Sequence, residues 1–384
     1  GTAPKRLVQA WLEDRHADAL FRDSVGRSPS IANIIKMAHP KPKDTVREAL
    51  YGYLIGREVS LDKLPELVRQ YEAYKAGLTN EIPDAPFQKL TALNLGADEW
   101  KNIALRAPWQ MTRMNLNTFA RHEVFYDDEL TQRIADRLRD GEAIRKAKVF
   151  PYQLMTAYRS TGKGVPDIVR DALQDAMELA TANVPVVNGL VYVCPDVSGS
   201  MAFTSATGYR QGVTSIVRCI DVAALMAATI LRRNPKAQVL PFDYEVRKVK
   251  LNSRDSVMTN AEKLAKIGGG GTNISAPLAL LNKRGAKGDL VILISDNESW
   301  VDRSSGQGGT SLMKSWNAFK KRNPGAKLVC LDIQPYSTTQ AYDREDILNV
   351  GGFSDQVFSI IRDFAQGRLD PRHWVGEIQR VSLQ

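Results

Sequence analysis

The 384-residue sequence predicts two fold classes in series: an α-helical repeat (HEAT-like) domain over residues 1–183 and an α/β doubly wound, Rossmann-like domain over residues 184–384. Three observations lead there. Up to Val184, apolar residues recur at helical spacing with no strand pattern. Beyond it, short continuous apolar runs alternate with helical segments, as in a parallel sheet covered on both faces. Hydroxyl and carboxylate residues then follow those runs, where open α/β sheets place their ligands.

In the first half, Ser28-Pro29-Ser30 reads as an N-cap followed by Pro at the first helical position, leading into Ile31, Ile34, Ile35 and Met37. A second helix starts at Asp44, runs through Val46, Leu50, Tyr53 and Leu54, and stops at Gly56. Others are predicted near 64–76, 98–105, 116–124, 129–138, 151–158 and 166–182. In the last of these, Val169, Ala172, Leu173, Ala176, Met177 and Ala180 make one face. Many short helices in series suggest a solenoid, and the lack of a fixed period leaves an irregular helical domain as the alternative.

In the second half, strands are predicted at 190–194, 238–242, 290–294 and 327–333, with 246–251 as a further candidate. Helices are predicted at 212–232, 275–281, 311–321 and 356–366.

Composition narrows the function classes. No apolar run approaches the ~18–20 residues that span a bilayer. No signal peptide is visible, and the chain opens at Gly1-Thr2 rather than Met, as a processed end would. Cys194, Cys219 and Cys330 form no C-x-x-C pair and lie in apolar segments, so three buried reduced thiols in a cytoplasmic protein are expected, not disulfides or zinc. The net charge is +9. Lys and Arg outnumber Asp and Glu by ten to six over residues 1–57 and by thirteen to eight over 101–170, while 58–100 reverses the balance at four to eight. Such a distribution fits a polyanion partner such as nucleic acid, and equally a merely soluble basic protein.

The strand ends offer hard oxygen donors. The first strand runs into Asp196-Val197-Ser198-Gly199-Ser200, the Gly-rich segment 267–272 ends in Thr272, and a later strand ends in Ser295-Asp296. Asp196, Ser198, Ser200, Thr272 and Asp296 together suit one octahedral Mg²⁺ or Mn²⁺, with few carboxylates and no His or Cys to favour a softer metal. An ion held this way stays electrophilic and favours an acidic sixth ligand, a partner carboxylate or phosphate. The alternative is a structural network in which the same residues cap helices and the glycines form a flexible loop or phosphate cradle.

This set resembles the metal-ion-dependent adhesion site (MIDAS) of von Willebrand factor A domains, over roughly residues 187–366. By that resemblance Ser198 and Ser200 coordinate directly, Thr272 does so in some states, and Asp196 and Asp296 act mostly through water. Ser-Asp-Asn around Asp296 departs mildly from the family's usual Thr-Asp-Gly.

Three segments of the helical half resemble Ro-type RNA-binding proteins, the TROVE family: Ile34-Ile35-Lys36-Met37-Ala38-His39-Pro40-Lys41-Pro42, the run from Ala107-Pro108-Trp109 to Thr118-Phe119, and Lys148-Val149-Phe150-Pro151-Tyr152-Gln153-Leu154. Cys194-Pro195-Asp196-Val197-Ser198-Gly199-Ser200-Met201 is similar to its bacterial branch. The resemblance implies a ring of helical repeats closed by the A domain. A small noncoding Y RNA would bind the outer surface, and single-stranded 3′ ends of misfolded RNA would enter the hole. It also implies an exoribonuclease partner tethered by the Y RNA and no catalytic activity of its own. Family rings have further repeats before the His-Pro-Lys-Pro segment, which here follows 38 residues.

For RNA, Lys36 and His39 lie one helical turn apart, with Lys41 and Lys43 next in the turn and Arg22 and Arg27 upstream, a cluster able to meet phosphates. By resemblance His39 stands at the family's Y RNA contact position. Otherwise His39 is a helix C-terminal residue favoured by the dipole. Arg113, Asn115, Asn117 and Arg121 could line a single-strand path. Alternatively the Asn residues cap turns, the Arg residues face water, and Trp109, Leu116 and Phe119 are core. Arg133, Arg137 and Arg139 are expected on a solvated face, partly paired with Asp136 and Asp140.

The leading expectation is thus a noncatalytic ribonucleoprotein component for RNA quality control. The alternative is a Mg²⁺-dependent protein-binding scaffold. An enzyme is disfavoured, since His16, His39, His122 and His373 lie outside the strand-end set, leaving only a metal hydrolase on Asp196 and Asp296.

Overall fold

The computed structural model describes residues 3–26, 28–206, 217–296, 311–334, 341, 344–354 and 356–369. The chain forms two compact units, Gly1–Arg106 with His122–Val124, and Ala107–Arg121 with Phe125–Gln384. No helix among the described residues is long and apolar enough to cross a membrane.

The first unit is helical: Ala3–Asp14, Ala17–Asp23, Ile31–Ala38, Thr45–Leu54, Glu66–Lys75, Phe87–Leu90 and Ala97–Arg106 are its α-helices. Leu12, Leu20, Phe21, Ile31, Ile35, Leu50 and Val68 form its core. The start of Ile31–Ala38 corrects the sequence reading. Ser30, not Ser28, is the N-cap, its hydroxyl accepting from Asn33 N at 3.2 Å, so Pro29 precedes the helix instead of opening it. The helix ends because His39 turns left-handed (φ 48°) while its N–H still bonds Ile35 O. Pro40 then has no N–H with which to continue. Asp44 caps Thr45–Leu54 through Arg47 N at 2.6 Å, as the sequence predicts.

The second unit begins with Trp109–Met114, Leu116–Arg121, Asp128–Leu138, Gly141–Lys146, Pro151–Ser160 and Asp167–Ala180. The predicted face of the last helix is buried throughout. Phe150 stacks on Phe358 and Tyr152 meets Phe353 edge-on, tying these helices to the end of the chain.

A five-stranded parallel sheet follows, with strands β1 (Val191–Pro195), β2 (Gln238–Val239), β3 (Leu290–Ser295), β4 (Lys327–Asp332) and β5 (Ile347–Gly351) in the order β2-β1-β3-β4-β5. β1, β3 and almost all of β4 are buried, which is why they read as uninterrupted apolar runs. One face, including Cys194, Leu293 and Cys330, packs with Trp316 and Phe319 of the helix Ser311–Arg322 and with Leu278 and Leu281 of Ala276–Lys283. Cys219–Arg233, buried from Cys219 to Leu231, packs against β1. All three cysteines are buried free thiols.

Two expectations need correction. Residues 246–251 form no strand: Val246 makes only an isolated antiparallel bridge to Phe242. The chain doubles back there because Arg247 N bonds Pro241 O at 2.7 Å while its guanidinium grips Asp243. Arg137 is not on the solvated face; it is half-buried and donates to Thr112 Oγ1 at 3.0 Å, and burial lowers its pKa. Arg139 pairs chiefly with Asp175 at 2.7 Å, and Asp140 caps the helix Gly141–Lys146. Of the predicted helix 212–232, residues 212–216 lie outside the described residues, and the helix is described as Cys219–Arg233.

Candidate functional site

β1 and β3 are neighbours, so parallel pairing carries both chains out of the sheet at the same edge. Asp196 leaves β1 with its N–H on Ile294 O at 2.8 Å. Its carboxylate is fully buried and accepts from Ser198 N at 2.8 Å and from Ser295 Oγ at 2.7 Å. Both donors are neutral. The first bond is an Asx turn that swings Ser198 and Ser200 together, their hydroxyls 3.2 Å apart. The helix Gly199–Phe203 starts there.

The glycine segment closes against this turn. Gly199 N donates to Gly270 O at 2.9 Å and Gly269 N to Val197 O at 3.1 Å. Gly270 adopts φ +81°, and a Cβ on Gly199 would stand 3.3 Å from Gly270 O. The segment is therefore a fitted part of the site, and the flexible-loop alternative does not hold. Thr272 follows this segment directly and is 1 % exposed. Asp243, which the sequence reading missed, anchors it: its carbonyl accepts from Asn273 N at 2.8 Å and its buried carboxylate is held by Arg247. Asp296 follows Ser295 and is 2 % exposed.

Burying these carboxylates together is costly, and their protonation equilibria record it. Burial pushes Asp196 up to about 7, with Asp296 adding to it against the lowering bonds from Ser198 and Ser295. Asp332 at the end of β4, also unforeseen, is pushed up to about 7 by burial and by Asp296. Cys219 is pushed to about 12 by burial and then by Asp296, Asp196 and Asp221.

The donor set is hard oxygen throughout, and among the described residues no three His, Cys, Asp or Glu converge as a ligand group. An octahedral ion with ~2.1 Å bonds places adjacent ligands roughly 3 Å apart. The Ser198–Ser200 hydroxyl pair already has that spacing, at 3.2 Å. The residues fit a small divalent cation.

The second group of predicted residues lies on the helical surface. Lys36, His39, Lys41 and Lys43 are exposed around the end of Ile31–Ala38. Gln9 of the helix Ala3–Asp14 fixes that end, donating to Ala38 O at 2.7 Å and His39 O at 3.2 Å. Lys43 Nζ is bonded to Glu13 O at 2.9 Å, and Arg22 to Asp84 at 2.6 Å. Arg27 lies outside the described residues.

The third group is largely committed to the fold. Asn117 spans to the next turn, Nδ2 donating to Ser160 O at 2.7 Å and Oδ1 accepting from Gly162 N at 2.8 Å. Asn115 bonds Met111 O at 2.8 Å, and Arg113 donates to Gln110 Oε1 at 3.0 Å and Gln153 O at 3.1 Å. Arg121 is exposed, its guanidinium on Thr118 Oγ1 at 3.2 Å. Trp109, Leu116 and Phe119 are core.

Comparison with known proteins agrees with this architecture. The family described as the Ro60 vWA domain matches residues 191–365. "RNA-binding protein RO60" of Deinococcus radiodurans is 26% identical over 363 residues, covering 88% of this chain and 66% of that protein. The Caenorhabditis elegans protein of the same name is 23% identical over 260 residues, covering 63% of this chain and 38% of its own length. The chain thus spans less than two thirds of the length of these relatives. The crystal structure of the Deinococcus radiodurans RO (RSR) protein superposes with a TM-score of 0.70 at 23% identity, covering 96% of this chain and 77% of that one. With a helical half preceding a parallel sheet whose strand ends carry Asp196, Ser198, Ser200 and Asp296, residues 191–365 are a von Willebrand A domain of the Ro60 type, and the chain as a whole is similar to bacterial Ro protein.

Proposed function

We propose that this chain is a noncatalytic RNA-binding protein. It would hold a small structured noncoding RNA of the Y type on its helical surface and take up single-stranded ends of misfolded RNA, in the cytoplasm, with an exoribonuclease brought in through the RNA. The observation that carries the reading is the cationic knuckle at the end of Ile31–Ala38, where Lys36, His39 and Lys41 are exposed around a helix end that Gln9 fixes. Exposed cations on a rigid scaffold meet a phosphate backbone without first ordering a loop. The names of the relatives support the same class of ligand.

Gel-shift titration of the chain against a structured small RNA tests it. The expected result is tight binding that weakens steeply with salt, and weakens again in a Lys36→Ala/His39→Ala double variant. Affinity no greater than for a random duplex sinks the reading.

The strand-end site supports a second element of the proposal. Ser198, Ser200 and Thr272 with Asp196 and Asp296 would hold Mg²⁺ or Mn²⁺, which supplies an electrophilic position for an acidic group of a partner. Asp196→Ala should then abolish Mg²⁺ binding and any Mg²⁺-dependent protein capture while leaving RNA affinity intact. If RNA affinity falls in parallel, the scaffold role separates from RNA binding no longer.

A further inference from the structure

The sheet register sets a row of three residues across its carboxyl edge. Ser295 pairs with Asp332 on β4, and one step beyond the Pro195–Ile294 pair it stands beside Asp196 on β1. Residues paired this way in a parallel sheet point to the same face. The bond from Ser295 Oγ to Asp196 Oδ2 at 2.7 Å confirms that face for the β1 side. Asp196 and Ser295 are fully buried and Asp332 is 4 % exposed, with Asp296 emerging directly after the middle residue. A strand end that needed only a polar residue would be served by a serine, as β3 is. β4 instead ends in a third buried carboxylate, level with Ser295 and so beside the residue that leads into Asp296.

Resting on the cation site proposed above, we propose that Asp332 is a further positioning residue of that site. It acts from outside the ligand set, since among the described residues no three carboxylates converge tightly enough to share one ion. It holds water and orients Asp296 on the β4 side, as Ser295 orients Asp196 on the β1 side. Such outer partners of metal sites set affinity by tenfold to a hundredfold.

Calorimetric titration of the full chain with Mg²⁺ tests this, with Asp332→Asn, Asp332→Ser and Asp196→Ala measured beside it. Wild type should bind one Mg²⁺ and Asp196→Ala none; if wild type binds none, the cation reading fails and this inference with it. If wild type binds, both Asp332 variants should bind about tenfold or more weakly. Their melting temperatures should equal or exceed wild type in EDTA and fall below it only when Mg²⁺ is present. An affinity within threefold of wild type, or a loss of melting temperature equal in EDTA and in Mg²⁺, makes Asp332 purely structural and overturns the inference.

Discussion

Two adjacent glycines make a sharp test of how the 268–271 segment is held, because the closer contact should be the less costly one. A Cβ on Gly271 would stand 2.7 Å from the ring and hydroxyl of Tyr244; one on Gly270 would stand 3.1 Å from Asp243 Oδ2. Distance alone ranks Gly271→Ala as worse. Tyr244, however, is 59 % exposed and can swing its ring outward. The remaining strain, about 0.5–1 kcal/mol, is offset by the similar gain from a less flexible unfolded chain. Gly270 has φ +81°, which costs an L-residue about 1–2 kcal/mol. Its neighbour Asp243 cannot yield, being gripped by Arg247 at 2.7 and 2.8 Å. Gly270→Ala should therefore lose about 2–3 kcal/mol and Gly271→Ala close to none. Urea unfolding of the full chain in EDTA measures both, and Tyr244→Ala should remove what little Gly271→Ala costs without rescuing Gly270→Ala. Because Gly270 O accepts from Gly199 N, only Gly270→Ala should also weaken Mg²⁺ binding. A Gly271→Ala loss equal to or larger than that of Gly270→Ala refutes the reasoning.

Other outcomes follow from single contacts. Asp221 is buried, bonded by Arg218 N, Nε and Nη2 at 3.0, 3.0 and 2.9 Å, with Arg159 at 3.8 Å. Asp221→Ala should lose about 2–4 kcal/mol in urea, less than for a fully buried pair because Arg218 reaches solvent, and Asp221→Asn, which keeps the helix cap, should lose clearly less. Asn117→Ala, which severs both bonds to the 160–162 turn, should cost about 1–2 kcal/mol of stability while RNA affinity stays within twofold of wild type; a selective fall in affinity would return Asn117 to the RNA path. Burial would raise the pKa of Asp346, but bonds from Arg344 and Trp316 and the charges of Arg344 and Lys320 outweigh it and hold the group to about 2. A depressed carboxylate stabilises the fold above its unfolded pKa near 4 and stops doing so as pH falls through 2. Wild type should thus lose about 1 kcal/mol more than Asp346→Asn between pH 5 and pH 2, and equal pH profiles in urea titration would count against the pairing.

The strands that position the site were legible because they are buried on both faces, so no charged residue interrupts β1 from Val191 to Pro195 or β3 from Leu290 to Ile294. β5 was not, because an edge strand with half-exposed Leu348, Asn349 and Val350 has no continuous apolar signal. Residues 246–251 misled for the opposite reason: Val246, Val249 and Leu251 among charged residues suggest a strand, while the Asp243–Arg247 pair that folds them back is a tertiary event. Asp196, Ser198, Ser200, Thr272 and Asp296 could be picked out because each follows a local signal, a strand end or a glycine run. Asp332 and Asp243 could not. Their importance depends on which strand lies beside which, and a lone Asp after Leu331 carries no mark of its neighbour Ser295. Asn117 shows a related limit: a polar run in sequence cannot reveal that a turn 43 residues away consumes its amide.

The bond between Ser295 and Asp196 closes a loop of 99 residues, and the N–H of Leu190 reaches Asp289 across the same separation. During synthesis at roughly 5–20 residues per second, β1 therefore waits on the order of 5–20 s for its inner neighbour to be made. In that interval β1 has at most the two-residue β2 beside it, and its inner edge is exposed to solvent and to other chains. Pairings this distant in sequence also form slowly once the chain is complete. Newly made copies should consequently depend on chaperones or low temperature for yield. Any fragment ending before β3 should expose β1 and aggregate, however well its helices fold.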